Sequence, residues 1–156
     1  MKLRNRIFFV TASMIFTGSL YSNAEIINIS TSNTTMLLEA SQGQPLRFIH
    51  YGDLVPESQI PVVASISGRP YAYPVYGMNA LMETAMSVTH PAANMTLDLG
   101  VTDTKNSMQP DGSKLTVVTM TDKVYPFDVK VNYLTYPDND VIETWVEAVT
   151  RGKKPV

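Results

Sequence analysis

Apolar and polar residues alternate with period two through Phe127, Asp128, Val129, Lys130, Val131, Asn132 and Tyr133, the spacing of a strand with one buried and one wet face. Turn chemistry follows at Tyr136, Pro137, Asp138, Asn139 and Asp140, and then a second β-rich run at residues 141–149. Together they predict an antiparallel hairpin. Residues 114–121 (KLTVVTMT) form another β-branched run, introduced by the turn-forming Pro110, Asp111, Gly112 and Ser113. Nearer the start, residues 26–30, 35–39 and 45–51 predict a meander punctuated by Ser32-Asn33 and Gln42-Gly43. Six or more strands joined by short turns predict an all-β fold, an antiparallel β-sandwich.

The middle of the chain breaks this rhythm. Residues 68–77 (GRPYAYPVYG) hold two prolines, two glycines and three tyrosines, which predicts a structured loop. In residues 80–89, Leu81, Met82, Ala85 and Met86 approximate helical spacing, whereas Met86, Val88 and His90 alternate, and the second half is predicted as strand. Residues 151–156 have the character of a turn leading into something else, with no repeat or interdomain linker before them.

The first 24 residues belong to another physical class. Lys2, Arg4 and Arg6 precede an apolar run from residue 7 to 21 without a charge, and Ser22, Asn23 and Ala24 supply small residues for a signal peptidase. The run is interrupted by Thr11, Ser13, Thr17, Gly18 and Ser19, and a membrane span needs about 20 predominantly apolar residues. A signal peptide at residues 1–24 is therefore expected, with a single domain at 25–156, export to the periplasm or cell exterior, and membrane contact only during signal insertion. Losing the signal leaves nine basic against 14 acidic residues, a net charge of −5 with His neutral. The remaining cations are scattered apart from Arg151, Lys153 and Lys154, so nucleic acid is excluded as a partner. With no cysteine in the chain, stability has to come from core burial.

Catalytic motifs are scarce. There is no Gly-rich phosphate loop, no cysteine nucleophile and no histidine pair at metal-ligand spacing, since His50 and His90 stand 40 residues apart and are assigned to surface or packing roles. Neither metal nor cofactor is expected. Glycosidic cleavage commonly uses two carboxylates facing each other across the sugar. Asp53 lies in a loop, Asp138 and Asp140 belong to turn chemistry, and Asp98, Asp128, Glu143 and Glu147 alternate with apolar neighbours as the solvated face of a sheet. No catalytic pair emerges. Tyr71, Tyr73 and Tyr76, beside Arg69 and Asn79, are the candidate substrate-binding residues, because sugar C–H faces rest on aromatic rings. The same rings would equally serve a domain interface or pack the loop onto the sandwich. The Asn-x-Ser/Thr sites at Asn28, Asn33 and Asn94 would matter only in a eukaryotic secretory route, and the signal has a bacterial character.

A succession of motifs then carries a family resemblance: Ile26-Ile27-Asn28-Ile29-Ser30-Thr31, Phe48-Ile49-His50-Tyr51-Gly52-Asp53-Leu54, Tyr73-Pro74-Val75-Tyr76-Gly77 and Thr96-Leu97-Asp98-Leu99. It continues through Leu115-Thr116-Val117, the strand from Val129 to Tyr133, Asp140-Val141-Ile142 and Glu147-Ala148-Val149. In this order and spacing, over nearly the whole mature chain, they resemble the N-terminal domain of family-36 glycoside hydrolases, the bacterial α-galactosidase group. The resemblance implies a β-supersandwich that precedes a (β/α)₈ barrel, with both catalytic aspartates in the barrel and outside this sequence. It also implies that, in tetrameric members, the loop after the Tyr-Pro-x-Tyr-Gly motif approaches a neighbouring active site, where an acidic residue and an arginine touch sugar. Here Asn79 to Met82 replace that pair, which puts the contribution to sugar binding in doubt.

The resulting expectation is a non-catalytic N-terminal domain, or fragment, of an exported α-galactosidase. Its partners would be the catalytic barrel, α-galactosides bound weakly, and further copies in a homo-oligomer. The alternatives are a free-standing carbohydrate-binding module and a periplasmic β-sandwich interaction module.

Overall fold

In the computed structural model, residues 24–66, 68–78, 81–90, 93–136 and 138–152 are described. Among them seven antiparallel strands form two sheets. Strands β1 (Glu25–Ser30), β2 (Thr34–Ala40) and β3 (Arg47–Asp53) make the first, in the order β1-β2-β3. Strands β4 (Leu99–Met108), β5 (Lys114–Asp122), β6 (Phe127–Thr135) and β7 (Ile142–Thr150) make the second, again in chain order. The all-β sandwich read from periodicity is therefore the observed fold. The signal segment at residues 1–23 lies outside the described residues.

Register explains which side chains meet. Ile27 opposes Leu38 and Ile29 opposes Met36, so these four share the face of the first sheet that meets Val118, Met120, Val129 and Val131 of the second. Burying an aliphatic side chain of this size stabilises by roughly 1.5–3 kcal/mol, and the shared core supplies the adhesion that disulfides would otherwise provide. The other face of the first sheet is covered too. Leu37 and Ile49 point away from the second sheet and pack against Ile60 and Ala64 of a short helix, α1 (Ile60–Ile66), which continues from a single 3₁₀ turn at Glu57–Gln59. A register shift between Leu37 and Leu38 marks a β-bulge against β3, and both leucines are buried, one in each core cluster.

One expectation needs correction, and two elements were not anticipated. The second half of residues 80–89 is not a strand: a single bridge from Met86 to Val75 is its only β pairing, and Met86 and Val88 pack onto the core as loop residues. Their alternation reflects irregular chain anchored by two side chains. Helix α1 was not expected, because Pro61, Val62 and Val63 are weak helix formers, yet Pro61 falls at the helix start, where its missing N–H costs nothing. Strand β4 was also unforeseen. After the buried Leu99, Gly100 and Val101 it runs out as Thr102, Asp103, Thr104, Lys105, Asn106 and Ser107, an edge strand without an apolar face for most of its length.

The two sheets are fastened at both ends. At one, the turn after β2 lies along β4: Gly43 N–H donates to the Val101 carbonyl at 2.8 Å and Val101 N–H to the Gln44 carbonyl at 2.9 Å. At the other, Asp140 reaches the β1–β2 turn. Its carboxylate accepts from the Asn33 N–H at 3.0 Å, from Asn33 Nδ2 at 2.6 Å and from the Thr31 hydroxyl. These donors hold the Asp140 carboxyl below its ordinary pKa. Asp140 thus has a role beyond the local turn assigned to it.

Candidate functional site

The tyrosine loop builds itself against the free edge of β3. Phe48 N–H donates to the Pro70 carbonyl at 2.9 Å and Ala72 N–H to the Leu46 carbonyl at 3.0 Å, with Arg47 and Tyr71 bridged between them, so the loop acts as a short added strand. Arg69 secures its start by an ion pair with Glu39 and a hydrogen bond to the Ala64 carbonyl at the end of α1. That arginine is committed to structure.

The three tyrosines of the loop occupy different surroundings. Tyr71 lies under Arg47, whose guanidinium carbon is 4.1 Å from the ring centroid, a cation–π contact. Tyr73 packs against the core and lines an apolar groove of about 280 Å³ with Met36, Leu38, Phe48, Val131, Tyr133 and Val146, where the sandwich opens between β3 and β7. Burial raises the Tyr73 pKa. In the same groove burial pushes the Tyr133 phenol up to about 12, with the charge of Tyr73 adding to the effect. Tyr76 is the exposed member, at 49%. Its backbone is fixed by the Met86 carbonyl at 3.2 Å and by Leu97 N–H at 3.0 Å, and Gly77 follows at φ +101°, where a β-carbon would lie 2.4 Å from Thr96 Cγ2. Asn79 lies outside the described residues.

The carboxylates have structural partners. Asp98 pairs with Lys123 and Asp103 with Lys105, each at 2.9 Å, and Glu143 accepts from the Tyr136 hydroxyl at 2.7 Å. Asp128, expected on a solvated face, is half-buried: one oxygen pairs with Arg151 at 2.9 Å and the other is enclosed without a partner. Asp122, which the sequence gave no reason to single out, is buried and accepts from the N–H groups of Asp98, Val124 and Tyr125 at 2.7–2.8 Å, closing the β5–β6 turn. Asp53 and Asp138 are exposed. His90 is buried and stacked on Tyr125, with ring centroids 3.7 Å apart, in the packing role expected of it. Among the described residues no three of His, Cys, Asp or Glu gather into a metal-holding group.

Comparison with known families matches residues 13–156 to the "Glycosyl hydrolase family 36 N-terminal domain". Comparison with curated protein sequences gives no match. Among solved structures, the α-galactosidase from Lactobacillus brevis aligns with 79% of the chain at 14% identity and a TM-score of 0.64. The galactosidase domain of the α-galactosidase-sucrose kinase AgaSK aligns with 81% at 17% identity and 0.68, and the α-galactosidase AgaA from Geobacillus stearothermophilus with 82% at 14% and 0.66. At these identities the likeness is one of fold. The chain spans 21% of the first of those structures and 22% of each of the others.

Proposed function

Because the chain belongs to glycoside hydrolase family 36, as its N-terminal domain, we propose that it is the non-catalytic sandwich of an exported α-galactosidase, docking on and shaping a (β/α)₈ barrel that cleaves terminal α-galactosides. The observation that carries this reading is the family match over residues 13–156 in a chain that spans about a fifth of its α-galactosidase neighbours. The chemistry agrees with it. Retaining and inverting glycosidases place two carboxylates about 5–10 Å apart across an open sugar site, whereas here Asp98, Asp103, Asp122, Asp128, Asp140 and Glu143 are engaged in turns, ion pairs and sheet ties. For docking, Val62 and Ile66 on α1 are exposed at 59% and 78%, and Leu54 just after β3 at 48%. They offer apolar surface to a neighbouring domain.

Assay of the purified chain on a p-nitrophenyl α-galactoside tests the reading, and no hydrolysis above buffer is expected. Turnover that survives repurification and falls on Asp53→Asn or Asp138→Asn would overturn it. In the same preparation, galactose and raffinose should bind with dissociation constants no tighter than about 1 mM. Micromolar binding abolished by Tyr73→Ala or Tyr76→Ala would make the chain a carbohydrate-binding module instead.

A further inference from the structure

Three turns meet at one pole of the sandwich, the pole toward which β1 and β4 run and from which β7 runs away for nine residues, roughly 30 Å of strand. Between the turns lies a pocket of about 330 Å³. Its walls include Thr31 and Ser32 from the β1–β2 turn, Met108 and Lys114 from either side of the β4–β5 turn, and Thr135 and Tyr136 at the end of β6. Pockets for small molecules begin at roughly 300 Å³. The walls are held without help from a ligand. Asp140 fixes the β1–β2 turn through Thr31 and Asn33. Gln109 N–H donates to the Ser113 carbonyl at 2.8 Å and Gly112 N–H to the Gln109 carbonyl at 3.0 Å, which closes the β4–β5 turn. The Tyr136 hydroxyl donates to Glu143 at 2.7 Å. Two wall groups are left over: among the described residues, neither the partly buried Lys114 ammonium nor the Ser32 hydroxyl has a hydrogen-bond or ion-pair partner.

The charges around the pocket decide which ligand fits. Asp140 stands behind Thr31 and Glu143 behind Tyr136. The hydrogen bond to Glu143 raises the Tyr136 pKa, and burial and the charges of Glu143 and Asp111 add to the effect, so a third carboxylate is felt at the rim. Three carboxylates around one ammonium disfavour an anion. A neutral ligand rich in hydroxyls meets no such repulsion. It can accept from Lys114, exchange a hydrogen bond with Ser32 in either direction, and rest C–H groups on the Tyr136 ring and on Met108, which is exposed at 68%. We propose that this pocket binds one neutral sugar ring, a hexopyranoside, with a dissociation constant of roughly 1–10 mM. Few free polar groups and an open mouth keep the affinity low, while walls already fixed by their own hydrogen bonds spare the cost of ordering them. The site is separate from the tyrosine loop on β3. It rests on the pocket alone and goes beyond the catalytic assignment, so either can fail without the other.

Amide chemical-shift mapping of the chain during titration with methyl α-galactoside tests the proposal. Saturable shifts should cluster at residues 31–32, 113–114 and 135–136. Lys114→Met should weaken binding by about tenfold and Ser32→Ala by about threefold. Neither should move the urea midpoint, because neither side chain supports the fold, so a loss of binding cannot be put down to unfolding. Methyl α-galacturonide, the same ring with a carboxylate at C6, should bind more weakly than the galactoside. Tighter binding of the galacturonide would make the pocket an anion site and overturn the proposal. It is overturned as well by the absence of saturable shifts, by shifts centred on residues 71–76 instead, or by an affinity indifferent to both substitutions.

Discussion

A β-carbon on Gly100 would lie 2.7 Å from both the carbonyl carbon and the oxygen of Gly43. The obstruction is backbone, which has no rotamer with which to yield. Gly100→Ala should therefore cost about 1–3 kcal/mol, read as a lower urea midpoint at unchanged slope. Gly68→Ala, with nothing within 4 Å of the added carbon, should fall within about 0.5 kcal/mol of the parent. Tyr133 sets a second residue-scale expectation. Its phenol is held up at about 12 by burial and then by the charge of Tyr73. Below pH 10 the folded and unfolded states both keep the proton, so the group adds no pH dependence. Between roughly 10 and 12 only the unfolded state releases it, and stability falls by roughly 2–3 kcal/mol in all before levelling off. Tyr133→Phe should remove this share of the alkaline slope and leave that of Tyr73, whose pKa burial also raises, measured by unfolding at pH 8, 10 and 11.

Among the elements, those that bury one face against the core could be read directly from the chain. Strands β5 and β6 keep their alternation in the structure, with Val118 and Met120 inward on one and Val129 and Val131 on the other. The β1–β3 meander followed from its short apolar runs and turns. What escaped were elements whose shape is imposed by neighbours. Strand β4 is held by hydrogen bonds to β5 and needs no apolar pattern of its own. Helix α1 exists because Leu37 and Ile49 present a second apolar face that requires a lid, and that need is visible only once both faces of the first sheet are known. The aromatic loop was located correctly as a feature of composition. That Tyr71 goes under Arg47, Tyr73 into the groove and Tyr76 to the surface depends on strand-like pairing with β3 and on the Gly77 turn, neither of which is encoded in tyrosine spacing.

For the whole molecule, the charged start and apolar run of residues 1–24 lead to a prediction about processing: the mature protein should begin at Glu25 and accumulate outside the cytoplasm. Intact-mass measurement of the secreted fraction checks this, and a soluble cytoplasmic species retaining Met1 as the main product would contradict it. The tie between Asp140 and the β1–β2 turn has a consequence for the order in which the domain can be completed. Thr31 and Asn33 are 109 and 107 residues away from the carboxylate that holds them. As the polypeptide emerges N-terminus first, the opening hairpin is made early but stays unlatched until the turn that leads into β7 has arrived. Contacts so distant in sequence slow folding, because a long loop has to close before they form. In the finished domain the same latch works in reverse: the first hairpin cannot peel away without releasing the turn that leads into β7, so the ends of the sandwich are expected to come apart in a single event.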